Sequence, residues 1–346
     1  MFKYLSISFF VLGILSQFSV NAEVKSKHIS TTVNPTPKER VEPKYPIDAA
    51  REAREGWVEL SFIIEEDGSV SNILVGDSSG SADFVRESLR AVKKWQYHPA
   101  MEGGEPIQRC VNTVRIGFSM KTNGIHAVRS KFKKNYALAE KALQEKDFAE
   151  VEKRLEKMTS YKYRHLTEND YLHVLAYEYA KAKNDPQLQL YHLEQVTMKN
   201  APENNKLYVY SNKFNLQVAL NKLVSAIETY EEIKELQVAD DLMSSFDRVV
   251  EDIDVLLDSD DIFVVDGDIG DKSHWFHRLA RNDFSISDIN GSLNKVDIRC
   301  ANKRHEFTVS ENAGWSIPEG WKHCAIFVYG ADNTSFKLVE QPRKNT

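Results

Sequence analysis

Gly56-Trp57-Val58-Glu59-Leu60-Ser61-Phe62-Ile63-Ile64 decides the fold, because Val58, Leu60, Phe62 and Ile64 form one apolar face at a period of two. That is a strand with one face buried. Upstream, Pro43-Lys44-Tyr45-Pro46 leads into a short helix-like run from Ile47 to Arg54. Downstream, Glu66-Asp67-Gly68 is turn chemistry, since Gly accepts positive φ, and a second strand runs from Ser69 to Val75. Ser81-Ala82-Asp83 offers an N-cap to a helix that lines up Phe84, Val85, Ser88, Leu89, Val92 and Trp95 on one side. The helix stops before Tyr97-His98-Pro99-Ala100, because the residue before proline avoids the α region. A third strand is expected from Ile107 to Phe118, with Cys110, Val114, Ile116 and Phe118 on one face.

Tyr45-Pro46, Gly56-Trp57-Val58, Asp67-Gly68-Ser69-Val70 and Trp95-Gln96-Tyr97-His98-Pro99-Ala100, in this order and spacing, resemble the C-terminal domain of the TonB family. The Trp-x-Tyr-x-Pro-Ala exit is the most specific piece. The resemblance implies an α+β domain over residues 43–121, about a quarter of the chain. In that family an extended segment of an outer-membrane transporter binds beside the chain leading into Tyr-Pro. The positions matching that site are Glu42, Lys44 and Tyr45, together with the outward residues Arg109, Val111, Thr113 and Arg115 of the edge strand. An edge strand exposes unpaired N–H and C=O groups on which a partner strand can add. Where the family often has Gln-Pro-Gln-Tyr-Pro, this chain has Glu42-Pro43-Lys44-Tyr45-Pro46.

The chain has 346 residues, enough for two or three domains with cores of their own. A formal net charge of −6 and the lack of a lysine or arginine block exclude the nucleic-acid-binding class. Lys3, the apolar run Leu5 to Leu15 and the small-residue pattern Val20-Asn21-Ala22 read as a signal peptide over residues 1–22. Ser16, Gln17, Ser19 and Asn21 interrupt the apolar run before the roughly 20 residues that a membrane span needs. The expectation is cleavage and a periplasmic protein, with an uncleaved inner-membrane anchor as the alternative. Residues 23–42 are polar and read as a linker.

From Ala127 to about 258 the apolar period becomes 3.6. Val151, Leu155 and Met158 recur as Gln189, Leu193 and Val196, then as Ala226, Tyr230 and Ile233, at offsets of 38 and 37 by subtraction. Each set follows a break at Asp147, Asp185-Pro186 or Asn221. Val224 to Glu231 resembles the second helix of a tetratricopeptide repeat, which implies an all-α solenoid. Leu242, Phe246, Val249, Val250, Ile253 and Leu256 then read as a terminal capping helix. Residues 262–346 return to period two with turn signals such as Asn290-Gly291, a small antiparallel all-β domain of sandwich type.

Cys300 ends one expected strand and Cys324 precedes another, which places them for a disulfide. Cys110 is left over, on the apolar face of the third strand. No metal or cofactor is expected: His274 and His277 are three apart on a strand and face opposite sides, and Asp258-Ser259-Asp260-Asp261 lacks the glycine and closing glutamate of a calcium loop. No Gly-x-Ser-x-Gly, P-loop or His-Glu-x-x-His is present, so an enzyme is not expected.

The expectation is therefore protein binding within a TonB-type envelope transport system of a Gram-negative bacterium. Its partner would be a TonB-dependent outer-membrane transporter or a TonB-system inner-membrane complex, and pairing of two copies through sheet edges is a further option. The alternative is a periplasmic tetratricopeptide-type scaffold with no role in energy transduction.

Overall fold

The computed structural model describes residues 32–342, apart from 80, 121–127, 162–163, 199–200, 271 and 310–312. The signal-peptide reading of Val20-Asn21-Ala22 and the first part of the linker lie outside the described residues.

The first unit holds β1 (Thr32–Val33), β2 (Thr36–Glu39), α1 (Ile47–Arg51), β3 (Gly56–Ile64), β4 (Val70–Ser78) and α2 (Ala82–Val92). It closes with β5 (Gln96–His98), β6 (Ala100–Glu102), β7 (Glu105–Ile107) and β8 (Arg109–Phe118). Strand β3 is central, with antiparallel neighbours in the order β4-β3-β8. Val58, Leu60, Phe62 and Ile64 pack against Phe84, Val92, Trp95 and Tyr97, as the alternation requires. Gly68 takes φ 79°, and a Cβ there would meet the Tyr97 carbonyl at 1.9 Å, so the turn and the helix exit fit only around glycine. Ser81 stands at the N-cap without capping; its hydroxyl accepts from Arg54 Nη1 at 2.6 Å instead.

Three expectations are corrected here. Thr32–Val33 and Thr36–Glu39, read as linker, are strands: β1 pairs with β6, and β2 pairs with β5. Just beyond, Arg40 stacks on Trp95 and Tyr97 at 4.9 and 5.3 Å, and the Trp95 indole donates to the Val41 carbonyl at 2.9 Å. The third strand is interrupted at Gln108, because β7 pairs back on β6 before β8 begins. Finally, the β3–β8 register shifts, with Leu60 opposite Val114 but Phe62 opposite Val111. This bulge carries one extra residue in β8 and flips the faces below it. Val111 therefore joins the core under α2, while Cys110, opposite Ile63, turns to the other side.

The helical unit is a run of antiparallel hairpins. They are α3 (Ser130–Gln144) with α4 (Phe148–Thr159), α5 (Leu166–Ala182) with α6 (Pro186–Glu194), and α7 (Glu203–Ala219) with α8 (Leu223–Lys234). A 3₁₀ turn, Gln237–Leu242, and α9 (Met243–Asp258) follow. The recurring apolar triplets fall on or just after the second helix of each hairpin, where Val151, Met158, Leu193, Ala226 and Ile233 are buried. The hairpin turns repeat too. Lys146, Asn184 and Asn221 all take positive φ, and the next residue's N–H returns to Ala142, Ala180 or Gln217. Asp147 and Asp185 then cap the second helices through their side chains.

The last unit is a sandwich of two antiparallel sheets over one apolar core. Its strands are β9 (Phe263–Asp268), β10 (Trp275–Arg278), β11 (Asp283–Asn290), β12 (Leu293–Arg299), β13 (Arg304–Thr308), β14 (Gly314–Ser316), β15 (Ala325–Gly330) and β16 (Ser335–Gln341). One sheet runs β10-β15-β12-β13 and the other β14-β11-β16-β9. A disulfide joins Cys300 to Cys324 just beyond the paired Arg299 and Ala325.

Candidate functional site

Both faces of β3 are buried, although its sequence pattern promised one. Trp57, Ser61 and Ile63 point away from α2 and are 1, 2 and 3% exposed. The helical and sandwich units cover that second face. Against the helices, Glu55 accepts the backbone N–H groups of Met120 at 2.8 Å and Leu166 at 3.1 Å. Against the sandwich, Arg299 donates to the backbone and side-chain oxygens of Asn72 at 3.1 and 3.0 Å. Cys110 lies in that second contact: its N–H reaches the Ala301 carbonyl at 3.3 Å, and burial pushes its thiol up to about 11.

The residues matching the family's partner site fall in different surroundings. Glu42 and Lys44 are exposed. Tyr45 is packed edge-on against Phe84 and Phe118 at 5.8 and 5.9 Å, its hydroxyl donates to the Arg54 carbonyl, and burial pushes its pKa to about 12. Arg109 is half-buried opposite Ile64, and Val111, also half-buried, packs against the core. Thr113 and Arg115 do face outward from β8. Thr113 accepts from the Arg278 guanidinium at 3.0 Å. Arg115 lies 4.1 Å over the Trp57 ring, pairs with Glu59 at 3.0 Å and donates to the carbonyl of Glu194, the last residue of α6, at 3.1 Å. The structure thus puts Tyr45 beside Phe118 on the α2 side of the sheet, whereas the Thr113–Arg115 end of β8 presents these two side chains on the opposite face.

That end opens into a cleft of about 1190 Å³ where all three units meet. The outer face of β3, β4 and β8 forms its floor, α6 to α8 one wall, and β9 and β10 the other. Ion pairs cross it between units: Arg278 to Glu228 at 2.8 Å, and Lys272 to Asp77 at 3.2 Å. Gln195 also donates to Asp77 at 2.9 Å. Within walls, Lys213 pairs with Glu232 and Lys337 with Asp288. Burial raises the Glu228 carboxyl, and the Arg278 guanidinium opposes that rise.

No local sequence pattern marks this cleft. Its wall strand β10 lies in His274-Trp275-Phe276-His277-Arg278, which has no apolar–polar alternation. His277 is buried and hydrogen-bonded to Glu340 at 2.9 Å, while His274 packs on Phe327 and Tyr329. Among the described residues no group of three or more His, Cys, Asp or Glu could hold a metal ion. No described helix is long and apolar enough to cross a membrane.

Residues 41–120 match the family of Gram-negative bacterial TonB protein C-terminal domains. The chain is 31% identical over 85 residues to a TonB protein of Yersinia enterocolitica, covering 23% of this chain and 33% of that one. It is 37% identical over 67 residues to a TonB protein of Pseudomonas aeruginosa, covering 19 and 20%. The chain therefore spans a third or less of the length of these curated relatives. The solution structure of the Pseudomonas aeruginosa TonB C-terminal domain aligns at 31% identity with a TM-score of 0.24, covering 26% of this chain and 91% of that one.

Proposed function

We propose that this chain is a periplasmic protein-binding component of a TonB-type envelope transport system, which takes an extended partner segment as an added strand along β8. The observation that carries the reading is the family match over residues 41–120 on a sheet whose last strand is β8. Glu42, Lys44, Arg109, Thr113 and Arg115 would meet the segment. The partner is a TonB-dependent outer-membrane transporter or an inner-membrane complex of the same system. The test is photocrosslinking in Gram-negative cells from Glu42, Lys44 and Arg109, with adducts identified by mass spectrometry. Adducts with such a protein support the reading; none from any of the three positions overturns it. Intact mass of the periplasmic protein should start at Glu23.

A second reading has an observation of its own. The sandwich takes the Cys110 N–H and the helical unit takes Arg115, so the chain's other units already hold the β8 edge. In that reading the helix hairpins are a tetratricopeptide-type scaffold, and the first unit braces them. Crosslinks from the exposed Tyr171 and Tyr208, with none from Glu42, Lys44 or Arg109, would favour it.

A further inference from the structure

The cleft presents strand edges rather than strand faces. Trp275, Phe276, His277 and Arg278 are consecutive in β10, and all four line it. Successive side chains of a strand point to opposite faces, so four in a row can border one space only if the strand's edge is turned toward it. β10 ends its sheet in the order β10-β15-β12-β13. Among the described residues, no main-chain hydrogen bond reaches it from the cleft side. The neighbouring edge, β9, is partly taken: Asn221 donates to the Val264 carbonyl at 3.0 Å.

The charge balance states what could lie there. Five of the six lysines and arginines lining the cleft are held by acidic partners in the lining. Among the described residues that leaves Asp185, Glu194, Asp266 and Asp268 without a basic partner, against Lys222 alone. Lys337 stands cross-strand from Asp266 but pairs with Asp288 at 3.5 Å. At about 1190 Å³ the space exceeds the roughly 300–1,000 Å³ usual for small-molecule sites.

We propose that this cleft is a second peptide site, where an extended, lysine- or arginine-rich segment of a partner protein adds as a strand to the free edge of β10. The class of ligand rests on reading the chain as a protein-binding component, and the place rests on the cleft alone. Backbone pairing would supply affinity, and the carboxylates that lack a basic partner would select for basic side chains.

The test uses the purified full chain and four fluorescent decapeptides, followed by anisotropy. One alternates Lys and Thr, one alternates Glu and Thr, and two are the Lys-Thr peptide N-methylated at every second residue, one in each phase. The Lys-Thr peptide should bind at least tenfold tighter than the Glu-Thr peptide and weaken with salt. N-methylation in one phase should weaken it at least tenfold, because methylated nitrogens cannot donate. Joint Asp266→Asn and Asp268→Asn substitution should cost about tenfold with an unchanged melting temperature. Equal binding by both N-methylated peptides would mean charge attraction without strand addition and would overturn the proposal, as would equal binding of the Glu-Thr peptide or no binding at millimolar concentration. Crosslinking from Glu42, Lys44 and Arg109 probes positions outside the cleft lining, so either proposal can fail while the other stands.

Discussion

The Arg299 guanidinium, from the sandwich, grips Asn72 of the TonB-like sheet twice, through its backbone and side-chain oxygens. Asn72 presents both oxygens from a left-handed conformation, φ 49°. Arg299 and its partner Asp297, 3.0 Å away, are fully buried, and Arg304 closes the other side of that carboxylate at 2.9 Å.

Arg299→Ala should cost about 3–5 kcal/mol, because it removes one of two cations from a buried carboxylate and leaves the Asn72 acceptors without their donor. Retained Arg304 places the effect toward the lower end. Urea unfolding checks it, and a loss under about 1 kcal/mol would show that Arg299 does not hold the two units together.

Alkylation of the native protein should leave Cys110 unlabelled, since its thiol is buried and raised to about 11. Non-reducing peptide mapping should show one bridge, Cys300 to Cys324. Opening it should cost roughly 3.5 kcal/mol on the chain-entropy account for a loop of about 25 residues. Native labelling of Cys110 would mean that the contact with Ala301 opens readily.

The His173–His192 pair should weaken the helical unit in acid, while Asp170, raised by burial to about 6, acts the other way. His173 and His192 meet Nδ1 to Nδ1 at 3.1 Å, and burial lowers them to about 3 and about 4. Between pH 6.5 and 4 the pair in the unfolded chain therefore takes up protons that the folded one refuses, and its share of the stability falls as pH falls. With solvent screening the loss should be about 2–3 kcal/mol. His192→Leu should flatten the urea midpoint over that window, and an unchanged slope would remove the pair as its cause.

Arg115→Ala removes the cation–π contact with Trp57 and the bond to the Glu194 carbonyl. The expected cost is about 1–2 kcal/mol, as from one partly exposed cation–π contact and one charged hydrogen bond. Hydrogen exchange should rise selectively at the end of α6. A uniform rise across all units would instead indicate a global defect.

Local chemistry carried far in this chain. The alternation of Val58 to Ile64, the Asp-Gly turn and the amphipathic run to Trp95 determined the first unit. Offsets of 38 and 37 mark the hairpins in the sequence, because each turn needs a left-handed residue and a helix start at the same place. Flanking strands likewise placed Cys300 and Cys324 together. Tertiary structure alone decided the rest. An exposed polar stretch such as Thr36 to Glu39 becomes strand only when β5 offers its edge, and a bulge moves Cys110 and Val111 to opposite faces with no trace in periodicity. Trp57 and Ile63 read as outward residues until two other units bury them. The cleft is assembled from residues more than 200 positions apart, such as Glu59 and Arg278, and no local pattern records which distant surfaces a chain will bring together.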